Sequence, residues 1–157
     1  MRIEPFALER YFARHEFTAR HLLSSSDCEP MSLAELLELA DGEERRMWQE
    51  LRLGYTESPG HPRLRGAVAE TYRGVGPEDV LEVVPAEGIF LLMHALLEPG
   101  DHVVCVAPAY QSLHEVARAI GCGVSSWAPD EAAGWSFDPD ALDALLRPET
   151  RLVVLNF

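Results

Sequence analysis

Apolar residues recur along this chain at two different spacings. In the first half they follow the three- and four-residue step of amphipathic helices. Pro5 to about His21 reads as a helix, with Pro5 suited to a first turn and Phe6, Tyr11, Phe12 and Phe17 on a loose stripe. Ser24, Ser25, Ser26 and Asp27 form a polar break. Ser32 followed by Glu35 is a capping box that opens a short helix through Ala40, and Asp41 with Glu44 repeats it for a helix to about Leu51. Gly54 to Pro62 is rich in turn residues, and a helix from about Pro62 to Tyr72 places Leu64, Val68 and Tyr72 on one face.

The second half alternates short apolar runs with helical segments. Strands are expected at Val80–Val84, Val103–Val106, Gly123–Trp127 and Leu152–Leu155. Helices are expected at Gly88–Leu97, at Gln111–Ile120 closed by Gly121, and from the Asp138-Pro139 start to Leu146. This order predicts an α/β fold of three layers, α/β/α, around a mostly parallel buried sheet with right-handed crossovers. The chain stops inside its last apolar run, Val153-Val154-Leu155-Asn156-Phe157, and a buried parallel strand wants further strands beside it. The expectation is therefore the front part of something longer.

Charge narrows the chemistry. The 26 Asp and Glu outnumber 13 cations, and every cation is Arg, so the chain holds no lysine. A lysine Schiff base, a lysine general base and a Walker-type lysine contact to phosphate are all excluded within these residues. Genome base composition alone can also produce uniform Arg usage. A sequence pI near 4.8 argues against binding nucleic-acid backbones. With 47% hydrophobic and 25% charged residues the composition is that of a globular protein, and a chain this size buries roughly 70% of its unfolded surface. The 3 cysteines, Cys28, Cys105 and Cys122, are scattered and show no C-x-x-C, which predicts reduced thiols in a cytoplasmic protein. Residues 1–9 carry charges rather than a signal-peptide core, and no apolar stretch reaches the ~18 residues of a membrane helix.

In open α/β sheets ligands sit at the carboxyl ends of strands. The first such end is Val84-Pro85-Ala86-Glu87-Gly88, where free amides and the helix dipole suit a phosphate. The same residues have a structural account: Glu87 favours the helix start through the dipole, Gly88 permits close packing, and Pro85 removes one donor. The second end is Ala107-Pro108-Ala109-Tyr110, where Tyr110 either covers a planar ligand or packs at the rim of the core. Tyr55, before Gly60, either donates to an anion or packs. The six His show no H-x-x-x-H spacing, no G-x-S-x-G elbow occurs, and the dinucleotide glycine fingerprint is missing.

Taken in order, these segments resemble the class I/II aminotransferases, the fold-type I family that uses pyridoxal 5′-phosphate (PLP). Gly54-Tyr55-Thr56-Glu57-Ser58-Pro59-Gly60-His61-Pro62-Arg63-Leu64-Arg65 is similar to the family's Y-x-x-x-x-G-x-x-x-L-R segment. Pro85-Ala86-Glu87-Gly88-Ile89, Glu98-Pro99-Gly100-Asp101-His102-Val103 and Pro108-Ala109-Tyr110 resemble its phosphate-cup, P-G-D and P-x-Y segments. Leu152 to Phe157 resembles the strand that leads into an N-P-x-G turn. The resemblance covers roughly residues 50–157.

It implies that residues around Ala86 and Glu87 hold the cofactor phosphate, that Tyr110 stacks on the pyridine ring, and that Tyr55 reaches the phosphate bound by a partner subunit of a homodimer. Residues 1–48 become a helical arm or small-domain segment, and residues 49–157 the first part of a PLP-binding large domain. The sequence departs from the commonest cup, which has Gly and Ser or Thr where Pro85 and Ala86 stand, so no hydroxyl is present there. The implied activity is amino-group transfer between an α-amino acid and a 2-oxo acid. The Schiff-base lysine, the Asp that pairs the pyridine nitrogen and the Arg that grips the substrate carboxylate all belong to later segments of the family pattern. A non-catalytic α/β module that binds an anion or a protein, and a lyase, decarboxylase or cyclising synthase of the same fold, are the other expectations.

Overall fold

The computed structural model describes residues 2–24 and 28–156; of the polar break, Ser25, Ser26 and Asp27 lie outside them. In chain order the elements are α1 (Ala7–His15), α2 (Leu33–Leu39), α3 (Gly42–Gln49), α4 (Pro62–Glu70), a 3-10 turn (Pro77–Asp79), α5 (Pro85–Leu96), β1 (His102–Val106), α6 (Ser112–Ile120), β2 (Gly123–Trp127), α7 (Pro139–Leu145) and β3 (Thr150–Val154). They divide into two compact units, one of residues 19–82 and one of residues 1–18 with 83–157. Among the described residues no helix is long and apolar enough to cross a membrane.

In the unit of residues 19–82, both capping boxes form. Glu35 N–H donates to Ser32 Oγ at 3.2 Å, and Ser32 N–H donates to the Glu35 carboxylate at 2.7 Å. Asp41 and Glu44 make the same exchange at 2.8 and 3.0 Å. Each box satisfies two of the orphan donors at a helix start. The end of α2 is closed by a residue that no local pattern announces. The guanidinium of Arg45, on α3, donates to the carbonyls of Leu37, Glu38 and Ala40 at 3.0 to 3.1 Å.

The expected strand Val80–Val84 does not form. A strand needs a neighbour to pair with, and among the described residues none lies alongside. Glu82 N–H instead donates to Pro59 O at 2.9 Å, and the Val80 carbonyl accepts from Arg65 Nε at 2.9 Å. Val84 is already the N-cap of α5, which starts at Pro85 rather than Gly88. Proline suits that first helical position because its missing N–H has no partner there anyway. The helix expected to reach His21 ends at His15. Residues 16–18 form a turn in which Thr18 N–H donates to His15 O at 3.2 Å and Thr18 Oγ1 donates to Arg14 O at 3.0 Å.

The other unit is built on a three-stranded parallel sheet in the order β2-β1-β3, three of the four expected strands in the expected orientation. All five residues of the central strand β1 are buried, as a strand covered on both faces must be. Val103 faces α5 and α6, with Met93, Leu97, Val116, Ala117 and Cys122 around it and Val124, Leu152 and Val154 from the flanking strands. Trp127, three residues beyond Val124, faces the other way. It rests on Phe137, with ring centroids 4.7 Å apart, and donates its indole N–H to Asp138 O at 3.0 Å, where α7 begins. Helices on both faces complete the three layers. Gly121 closes α6 at φ 110°, a left-handed conformation that glycine adopts without strain.

His102 spans the sheet at its amino end. The ring is buried, with Nδ1 2.8 Å from Thr150 Oγ1 on β3 and Nε2 2.9 Å from Ser125 Oγ on β2. Burial, and then the Arg147 charge, hold its pKa below the ordinary 6.5 against the opposing pull of Glu149. The unfolded chain therefore takes up a proton before the folded chain does as pH falls. The His102 contribution is complete above the ordinary value and is lost as pH drops below it through the folded value. We expect the thermal midpoint to fall between about pH 7.5 and pH 5, and His102→Gln to flatten that slope. Equal slopes in the two proteins contradict this role.

Candidate functional site

The carboxyl end of the parallel sheet is where α5 and α6 begin. Ile89, Leu92 and Met93 of α5 meet Leu113 of α6 and residues Leu152–Leu155 along one crevice there. α6 follows β1 directly, so its start and unpaired amides lie at this end. Among the described residues no strand precedes α5, whose place there rests on the contacts of Ile89, Leu92 and Met93.

At the start of α5, Val84 makes no side-chain cap. The first helical backbone bond runs from Gly88 N–H to Val84 O at 2.8 Å. The amides of Ala86 and Glu87 precede it, and both residues are exposed. Two uncapped donors at the positive end of a twelve-residue helix could hold an anion. The structural account of this segment holds as well. A Cβ on Gly88 would come within 2.5 Å of Val83 Cγ2, so glycine is required for the close approach.

Tyr110 follows the cis Ala107–Pro108 bond at the exit of β1, with 43% of its surface exposed. It is therefore neither a core residue nor a free one: its hydroxyl donates to the Glu9 carboxylate on α1. Gln111 beside it binds the α1 backbone twice, accepting from Ala7 N–H at 2.8 Å and donating to Pro5 O at 3.2 Å. Glu9 and Gln111 were not singled out by sequence reasoning. Their partners lie 101 to 106 residues away, and no local pattern signals such a pairing. Ala86, Glu87 and Tyr110 thus belong to one unit. Tyr55 lies in the unit of residues 19–82, where its ring is fully exposed.

The remaining candidate nucleophiles are muted. Cys105 and Cys122 are free but buried, and burial pushes both thiols above their ordinary pKa. Glu115 is buried against Arg118 and His114, a local cluster on α6.

An uncapped helix start and an exposed aromatic face on one unit fit a phosphorylated planar cofactor. The backbone amides of Ala86 and Glu87 suit its phosphate, and Tyr110 suits its ring.

Comparison with known proteins points the same way. A capreomycidine synthase of Streptomyces vinaceus is 36% identical over 153 residues, which is 96% of this chain and 39% of that protein. The crystal structure of a PLP-dependent aminotransferase from Streptococcus suis superposes with a TM-score of 0.85 at 32% identity, covering 98% of this chain and 42% of that one. A PLP-dependent cyclase, OrfR, superposes with a TM-score of 0.80 at 30% identity, covering 100% of this chain and 41% of that one. The chain spans about two fifths of the length of these relatives. Residues 22–156 match the family described as aminotransferase class I and II. With that match over most of its length, on a parallel α/β scaffold, the chain belongs to the class I and II aminotransferases.

Proposed function

We propose that this chain binds the phosphate and pyridine ring of PLP for an enzyme that moves an amino group between an α-amino acid and a 2-oxo acid. The observation that carries the reading is the uncapped start of α5 at the carboxyl end of the parallel sheet, in the same unit as the exposed Tyr110. When bound, PLP supplies an electron sink for the substrate carbon. The amides of Ala86 and Glu87 hold the phosphate and so fix one end of the cofactor. The Glu87 side chain stays in solvent, where its charge favours the helix start. Tyr110 covers one face of the ring and keeps water from it. The amine that carries PLP comes from residues other than these, since none of the 157 is a lysine.

In this reading residues 49–157 are the first part of a PLP-binding large domain and residues 1–48 its helical arm. Tyr55 extends to the phosphate of a second subunit, making the enzyme a homodimer, and the enzyme is cytoplasmic. Tyr110→Ala is expected to weaken PLP binding about three- to tenfold, the worth of one aromatic contact. PLP titration followed by fluorescence checks it, and unchanged affinity contradicts the stacking role.

A second reading, a cyclising synthase of the same fold, is favoured by relatives that cover nearly the whole chain, the capreomycidine synthase and OrfR. The two differ in one requirement. Amino transfer needs a 2-oxo acid acceptor, whereas a cyclase converts its single substrate without one. Assay of the holoenzyme with and without a 2-oxo acid separates them.

A further inference from the structure

No residue of α1 is fully buried, and of its apolar side chains only Phe12 is half-buried. The hydrogen bonds that tie it to the rest of the unit converge on two adjacent residues. Phe6, the N-cap of α1, offers no side-chain cap. The Gln111 carboxamide takes over that task from the far end of the chain, accepting from the first helical amide, Ala7 N–H, at 2.8 Å. The same carboxamide donates to Pro5 O at 3.2 Å, so it engages the arm as a neighbouring strand does. Gln111 is itself the N-cap of α6 yet makes no side-chain cap there. One turn into α1, the Glu9 carboxylate accepts from the Tyr110 hydroxyl.

We propose that α1 is a strap that sets the Tyr110 ring: Gln111 anchors the strap, and Glu9 is the positioning residue that fixes the phenol. The inference rests on the reading that Tyr110 meets the cofactor ring. A tyrosine half-exposed at a loop corner has more than one rotamer open to it. Holding its hydroxyl on a charged acceptor removes that freedom, and the ordering is then complete before a planar ligand arrives. A helix with no fully buried residue is thereby held in place, and the Gln111 side chain bonds to it rather than capping its own helix. It also makes residues 1–18 part of the site's unit, although 64 residues of the other unit (19–82) separate them from the rest of it in sequence.

The test uses two independent readouts. The first is amide hydrogen exchange of residues 7–15 in the wild type and in Gln111→Ala. The second is affinity for PLP and for inorganic phosphate in Glu9→Ala, Glu9→Gln, Tyr110→Phe and the Glu9→Ala/Tyr110→Phe double variant. Exchange over residues 7–15 is expected to quicken in Gln111→Ala. Glu9→Ala and Tyr110→Phe are each expected to weaken PLP about fivefold, the worth of one hydrogen bond, with inorganic phosphate unaffected. The double variant should lose no more than either single one, because both remove the same contact. Glu9→Gln retains an acceptor and should bind PLP as the wild type does. Additive losses, parallel losses of PLP and phosphate, or wild-type PLP affinity in Glu9→Ala overturn the proposal. Unchanged exchange in Gln111→Ala overturns the anchor. If the wild type binds no PLP, the cofactor reading fails, and exchange alone then decides whether the strap stands.

Discussion

Supplied with PLP, an amino acid and a 2-oxo acid, the 157-residue chain is expected to transfer no amino group above the rate of PLP in buffer. Amino transfer on PLP requires a side-chain amine that carries the cofactor and moves a proton at the substrate carbon. None of the 13 cationic side chains can do so, because all are Arg and remain protonated. The two buried thiols are held in their neutral form, which mutes them as nucleophiles. The assay is formation of the new 2-oxo acid against a protein-free blank. Turnover above that blank contradicts the assignment of this chain to cofactor holding alone.

The second large effect is structural. Met93→Ala should destabilise the sheet-bearing unit by about 2–5 kcal/mol, the range for truncating a fully buried large side chain. Met93 is 2% exposed and sits in the cluster with Leu97, Val103, Val116, Ala117 and Cys122. Its removal leaves a void between α5, α6 and β1 that a well-packed interior refills poorly. That loss is a large share of the roughly 5–15 kcal/mol a domain commands. Leu92→Ala, one residue earlier on the same helix but 55% exposed, is the control and should cost well under half as much. Urea denaturation checks both. Similar midpoints for the two variants contradict the placement of the core.

What the sequence revealed was what is decided locally. Ser32 with Glu35, and Asp41 with Glu44, need only a four-residue window to form their capping boxes, and both are present. The apolar runs of β1, β2 and β3 and the glycine stop of α6 are equally local signals, and their parallel order followed from the intervening helices. Val80–Val84 has the composition of a strand, but composition cannot supply a neighbour, and its polar groups were taken by Pro59 and Arg65. The candidate site was legible only in part. A helix is expected to open at Gly88 after a strand, whereas α5 opens at Pro85 with no strand before it among the described residues; the position of Tyr110 just after β1 is read from the run that forms that strand. The tie from Tyr110 and Gln111 to Glu9, Ala7 and Pro5 could not be read, because it depends on how the chain returns on itself after more than 100 residues. Arg45 closing α2 belongs to the same class of tertiary contact.

We propose that the start of α5 holds a phosphate and Tyr110 the ring attached to it. Calorimetric titration of the chain with PLP, with pyridoxal and with inorganic phosphate tests it most directly. The account predicts that PLP binds, that inorganic phosphate displaces it, and that pyridoxal, which lacks the phosphate, binds far more weakly. Equal affinity for PLP and pyridoxal, or PLP binding that phosphate does not displace, would contradict it.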